Sequence, residues 1–121
     1  MTDERDRGQA AVEFAIALPL VVMLVFGVIQ VTVVVRDQLA VELAAREGAR
    51  AAAVSAAPSP AAARAAQAST SLRPLHTTTA ATAALVTVTV RYTTRSRVPM
   101  LGLVLRDVDL SASVTMAREP P

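Results

Sequence analysis

The sequence predicts an α+β protein: a long N-terminal transmembrane helix that extends out of the membrane, followed by a small antiparallel β-sheet packed on it. Two observations carry this prediction. An uncharged and almost wholly apolar run extends from Phe14 to Val35. After Leu85, apolar and polar residues alternate along two segments, which is the pattern of half-buried strands.

The composition limits what can follow the membrane segment. The chain has 121 residues, which leaves room for one small domain outside the membrane. Hydrophobic residues make up 53% of the chain and aromatic residues only 2%, because the apolar weight comes mostly from alanine and valine. Such small side chains bury little area each. A domain built from them must rely on packing against the helix or on partners.

The composition also excludes several classes of chemistry. Cysteine is absent, which excludes disulfides, zinc–thiolate sites and thiol catalysis. The net charge is only +2 and every Lys/Arg position is arginine, so there is no basic patch of the kind that binds nucleic acid. No glycine-rich phosphate loop and no nucleophile motif is present. The sequence therefore predicts a protein that is not an enzyme, with no cofactor, no metal, no nucleic-acid partner and no small-molecule substrate.

The apolar run is long enough to cross a bilayer. From Phe14 to Val35 only Pro19, Gly27, Gln30 and Thr32 interrupt the apolar run, and none of them is charged. As a helix this run spans roughly 33 Å, against about 30 Å for the hydrocarbon core. A signal-peptide core has only ~7–15 apolar residues, so the run indicates a membrane anchor. Pro19 removes a backbone donor, and a modest helix kink is expected there.

The helix is expected to continue beyond the membrane, so that residues 9–57 form one transmembrane and projecting helix. The segment after Val35 is rich in helix formers, and Pro58 is expected to end it. Gly48 is its expected weak point. Leu39 and Leu43 share an apolar stripe with Val35, and this stripe is expected to cover the sheet.

Residues 58–121 are expected to form a small extracytoplasmic α+β region. Ala61–Leu72 is read as a short helix or an alanine-rich linker. Strands are predicted at Val86–Tyr92 and Val108–Met116, with a further short strand at Leu103–Leu105 in the intervening loop. In the last strand Leu110 is expected to face the core and Asp109 the solvent. His76, the single histidine, is expected to be solvated.

Two residues before the apolar run need an explanation. Gly8 ends a short charged segment, and Glu13 is an acidic residue at the entrance of a membrane helix. On physical grounds alone, Gly8 is compatible with a helix-start glycine and Glu13 with an interfacial carboxylate. The segment GQAAVEFAIALP, however, with Gly8, Gln9, Glu13, Phe14 and Pro19, resembles the N-terminus of TadE-like proteins, the pseudopilin class of the Tad (Flp) branch of type IV pilus systems. The segments AAREGARAAA and VTMARE are also similar to stretches of this family.

The resemblance implies a role for each of these residues. Residues 1–8 would be a prepilin-like leader that a membrane prepilin peptidase cuts after Gly8, leaving Gln9 as the new N-terminus. Glu13 and Phe14 would act in subunit assembly. The N-terminus would lie inside the cell and the C-terminal region outside, in the cytoplasmic membrane or in a surface pilus. Partners would be the membrane, other pilin-like subunits and the pilus assembly machinery. Many prepilin leaders are basic, whereas this one is not clearly so.

Two hypotheses of different classes stay open on the sequence. In the first, the chain is a minor pseudopilin that takes part in assembling a Tad/Flp-type pilus or a related secretion system. In the second, it is an uncleaved single-pass anchor whose extracytoplasmic domain binds another envelope protein. Arginines flank the apolar run on both sides, so charge alone does not decide the orientation of the helix.

Overall fold

The computed structural model describes residues 2–94 and 107–120. Five elements follow one another along the chain: helix α1 (Thr2–Ala53), helix α2 (Pro58–Ser69), and strands β1 (His76–Ala81), β2 (Leu85–Thr94) and β3 (Val108–Ala117). This confirms the α+β class. The contacts divide the chain into two compact units, Met1–Val33 and Val34–Pro121.

In its described part, the first unit is a stretch of α1 with charged residues at 3–7 followed by the apolar run. Its large side chains are exposed along the whole run; Phe14 and Ile16, for example, are 67% and 72% exposed. By length and composition, α1 can cross a membrane. The helix continues through Pro19. In water this exposed surface would be strongly unfavourable, so the burial pattern fits a helix that is solvated by lipid.

The second unit is built around an antiparallel sheet with the order β1-β2-β3. Val86, Val88 and Val90 on β2 are fully buried, and Leu110 on β3 is nearly so. Threonine and serine occupy the alternate positions and point to the other face. The predicted phase of both strands is therefore confirmed, including Leu110 inside and Asp109 outside.

The outer face of the sheet is polar and carries cross-strand hydrogen bonds between side chains. Thr87 pairs with Thr115 at 2.8 Å, and Thr89 with Ser113 at 3.0 Å. At the end of the strands, the Thr93 hydroxyl donates to the Asp109 carboxylate at 2.7 Å. Such pairs reinforce the register that the valine face sets.

The sheet packs on a face of α1 that is made of small residues. Val41, Ala44, Ala45, Ala49 and Ala52 are fully buried on this face. The expectation that Leu39 and Leu43 cover the sheet is wrong, because these side chains are 61% and 47% exposed. The physical reason is distance: alanine lets the helix backbone approach the sheet closely, and this shape fit outweighs the larger area that leucine would bury.

Gly48 is a point where α1 approaches its neighbours closely, and not the weak point that the sequence predicts. A Cβ atom there would lie 3.1 Å from Cγ1 of Val88 and 3.2 Å from the carbonyl oxygen of Ala62. Helix α1 runs through Gly48 without a break. The glycine therefore lets α1 contact β2 and α2 at the same place.

The second unit differs from the sequence-based expectations in the bounds of its helices and in one strand. Helix α1 ends at Ala53, before the expected end at residue 57, and Pro58 begins α2 instead of only ending α1. Of the two alternatives for Ala61–Leu72, the short helix is found, and it runs three residues earlier, over Pro58–Ser69. Strand β1 was not predicted, and the strand expected at Leu103–Leu105 lies outside the described residues.

Candidate functional site

The candidate site is a short stretch of α1 at the start of the apolar segment. Gly8, Gln9, Glu13, Phe14 and Pro19 all lie in this one helix, and all are exposed. Among the described residues, their unit contains part of α1 and no other helix or strand.

Helix geometry groups these residues into two sets. Gln9 and Glu13 are four positions apart, so they are neighbours on one side of the helix. Phe14 is one position further and points about 100° away from Glu13. The Glu13 carboxylate and the Phe14 ring therefore face different surroundings. A carboxylate and an aromatic ring on adjacent sides of a lipid-facing helix provide one polar and one apolar contact for a neighbour.

Gly8 lies in the second turn of the helix, with open space around it. A Cβ atom there would meet nothing within 4 Å. No packing in the chain itself thus requires glycine at this position. A glycine inside a helix destabilises it by about 1 kcal/mol relative to alanine, so the turns around Gly8 open more easily than the apolar turns that follow.

The described residues contain no cluster of three or more acidic or histidine side chains that could hold a metal ion. His76 is exposed at the start of β1, as expected. Asp107 precedes β3, and Asp109 is engaged with Thr93 on the outer face of the sheet. These groups form an ordinary solvated surface in the part of the chain that is described.

Sequence reasoning missed the polar contacts that hold the start of the second unit together. The Thr94 hydroxyl donates to the Asp37 carboxylate at 3.4 Å, and the Gln38 amide donates to the carbonyl of Ser111 at 3.3 Å. Both anchor the sheet to α1 just after the apolar run. The sequence signal for these contacts was the polar pair Asp37 and Gln38, which lies between the apolar run and the buried Val41.

An exposed apolar helix that carries a glycine and a glutamate at its entrance, together with a small sheet packed on its second half, is the arrangement expected of a pilin-like protein. Residues 8–50, about a third of the chain, match the family model described as TadE-like protein. The resemblance that the N-terminal motif indicates is thereby confirmed over this segment, which contains the whole candidate site. This family is a structural, non-enzymatic one. Searches of curated proteins and of solved structures give no match.

Proposed function

We propose that this chain is a minor pseudopilin that takes part in assembling a Tad/Flp-type pilus or a related secretion system. The observation that carries the proposal is the motif Gly8-Gln9…Glu13-Phe14 in front of an exposed apolar helix, inside the segment that matches the TadE-like family. A prepilin peptidase removes residues 1–8, the apolar segment holds the protein in the cytoplasmic membrane, and the second unit lies outside. The protein then joins other pilin-like subunits.

Glu13 has a defined task in this proposal. A carboxylate inside a membrane helix is unfavourable by about 3 kcal/mol near the helix centre and less near the interface. Cleavage after Gly8 creates an α-amine on Gln9, about 6 Å along the axis and 40° around it from Glu13. An opposite charge at ~4 Å in an effective dielectric of about 20 offsets roughly 4 kcal/mol. The carboxylate can pair with its own amine or with that of an adjacent subunit, and the second pairing fixes the register between subunits.

The first test is the position of the mature N-terminus. In cells that contain the peptidase, N-terminal sequencing of the mature protein should begin at Gln9. The Gly8→Val variant should keep its leader, because a side chain beside the scissile bond blocks close approach of the backbone. Gly27→Val is the matched control, since it makes the same change in open space on the same helix and should leave cleavage intact.

A mature wild-type chain that begins at Met1 or Thr2 would contradict the proposal. It would favour the second hypothesis, an uncleaved anchor whose extracytoplasmic domain binds another envelope protein. If only the Gly8→Val variant begins at Met1 or Thr2, while the wild type begins at Gln9, the proposal is supported.

The second test separates assembly from membrane insertion. Glu13→Ala should insert at least as well as the wild type, because it removes a charge from the membrane segment, yet it should not support pili. Glu4→Ala is the control, since it removes an acidic residue that leaves with the leader. The measurements are membrane fractionation and electron microscopy of cell-surface pili. Normal pili on Glu13→Ala cells would contradict this role. Glu13 would then be an interfacial carboxylate that takes no part in assembly.

A further inference from the structure

One face of α1 in the second unit has no cover from its own sheet. It carries Leu39, Leu43, Arg46 and Arg50, which we call the Leu–Arg face. Both leucines are largely exposed, and both arginines are exposed as well. The buried residues of α1, Val41 to Ala52, lie on the opposite side, against the sheet and α2. The Leu–Arg face is thus a surface that the chain itself leaves open among the described residues.

The spacing of this face is that of a helix–helix seam. Its four residues are separated by four, three and four positions, which is the repeat of the a and d positions in a coiled coil. A helix that lies on a lipid surface needs a broad apolar sector, often with Trp or Phe, and a basic opposite side. The Leu–Arg face offers two leucines in a narrow line, with the arginines in the same line. Its shape therefore fits a second helix better than a membrane surface.

A second copy of this chain does not complement the face. In a parallel pair, Arg46 and Arg50 of one copy would face the same arginines of the other. The flanking positions are Glu42 and Glu47, which such a pair brings opposite each other, so like charges would meet there too. Apart from α1 itself, the described residues after the apolar run contain only helix α2, which has no acidic side chain. The acidic leader lies on the other side of the apolar run and has no large apolar side chain in its described part.

We propose that the Leu–Arg face docks an α-helix of a different protein, with apolar residues opposite Leu39 and Leu43 and aspartate or glutamate opposite Arg46 and Arg50. Arginine is suited to this role because its guanidinium binds a carboxylate through two parallel hydrogen bonds. The proposal rests on the proposed function, because it names the kind of subunit that this pseudopilin contacts outside the membrane. Beyond the proposed function, the docking proposal states that this contact joins two different proteins and not two copies of this chain.

The absence of cysteine makes a site-specific test direct. A benzophenone attached to Leu43→Cys in the full chain, in cells, probes the Leu–Arg face with the single thiol of the protein. Ser113→Cys, exposed on the outer face of the sheet, is the matched control. We expect at least five-fold more adduct with another protein from position 43 than from position 113. The partner peptide should carry acidic and apolar residues at helical spacing.

Charge reversal identifies the chemistry of the contact. Arg46→Glu with Arg50→Glu should lower the adduct at position 43 at least five-fold, and acidic-to-arginine changes in the cross-linked partner helix should restore it. Both arginines are exposed, so the reversed protein should melt at the wild-type temperature in detergent. If the charge-reversed protein melts at a lower temperature, the test uses Leu39→Ser instead. This variant removes an apolar contact without adding a charge, and it should also lower the adduct at position 43.

An adduct with twice the mass of the chain, which indicates a second copy, would overturn the inference, and so would an adduct with lipid. The absence of any protein adduct would also overturn it. The same holds for a protein adduct that neither charge reversal nor Leu39→Ser lowers. The state of the leader separates this failure from that of the proposed function. A chain that is cleaved after Gly8 and supports pili without the adduct would refute the Leu–Arg contact alone. An uncleaved chain that still forms the adduct would refute the pseudopilin function alone.

Discussion

At the scale of single residues, the second unit depends on positions where a side chain is small. Gly48 illustrates this, because three elements meet at its Cα and a Cβ atom would come within 3.1 Å of Val88. Glycine in a helix carries a cost in backbone entropy. That cost is offset here by the close approach of β2 and α2. Glycine at position 48 is therefore explained by tight packing, and a flexible backbone is not needed to explain it.

Enlarging Gly48 should therefore destabilise the second unit. Gly48→Val adds three carbon atoms between Val88 and the backbone of α2, and overpacking of this kind costs about 1–3 kcal/mol. Gly48→Ala should have a smaller effect, since the gain in helix propensity opposes the tight contact. Thermal unfolding of the full chain in detergent, followed by circular dichroism, measures both. Gly27→Ala is the control, because nothing lies within 4 Å of its Cβ position. Equal melting temperatures for Gly48→Val and wild type would contradict this account of the packing.

Leu110 gives the corresponding test of the sheet. Its side chain is 7% exposed and lies in the core, so Leu110→Asp buries an unpaired charge and should cost several kcal/mol. Ser111→Asp introduces the same group one position along, on the solvent face, and should be nearly silent. Asp109→Asn should also have little effect, since the amide oxygen can still accept from Thr93. The measurements are the steady-state protein level and the melting temperature. Similar losses from Leu110→Asp and Ser111→Asp would contradict the strand phase.

At the scale of elements, the sequence predicts what has a strong contrast along the chain. Strands β2 and β3 were predicted in phase because valine or leucine alternates with threonine or serine. Strand β1 was missed because its sequence, HTTTAA, has no such contrast, and its pairing with β2 is what makes it a strand. A pattern of residue types carries no signal where both faces are occupied by small side chains.

The packing face of α1 shows the opposite error. Choosing the helix face by hydrophobic size selects Leu39 and Leu43, whereas the structure selects valine and alanine. Alanine runs along most of this segment and gives little periodicity, so the face is set by the shape of the sheet. Leucines left on the outside then need another explanation, and their spacing with Arg46 and Arg50 provides one.

At the scale of the whole molecule, the two units divide the work between them. The first unit has an apolar run whose side chains are exposed, and it carries the candidate processing and assembly residues. The second unit has its own core and a polar outer sheet face. The identity of the candidate site was predictable from the motif at Gly8 and Glu13. Its action was not, because every residue of the site is exposed and no contact within its own unit indicates what the site binds.

Orientation in the membrane is the property on which both proposals depend. Arginine counts on the two sides of the apolar run are close, so the charge rule gives no answer. The proposed function requires the N-terminus inside and residues 36–121 outside. In spheroplasts, a membrane-impermeant maleimide should then label Ser113→Cys, whose side chain is exposed.

The control for this labelling must keep the leader attached. Arg5→Cys combined with Gly8→Val places a single thiol before the apolar run in an unprocessed chain, and it should react only after the membrane is permeabilised. The natural chain contributes no background, because it has no cysteine. Labelling of Arg5→Cys from outside, with protection of Ser113→Cys, would place the sheet in the cytoplasm. The Leu–Arg face would then be unable to meet an extracytoplasmic subunit, and a role in pilus assembly outside the membrane would be excluded.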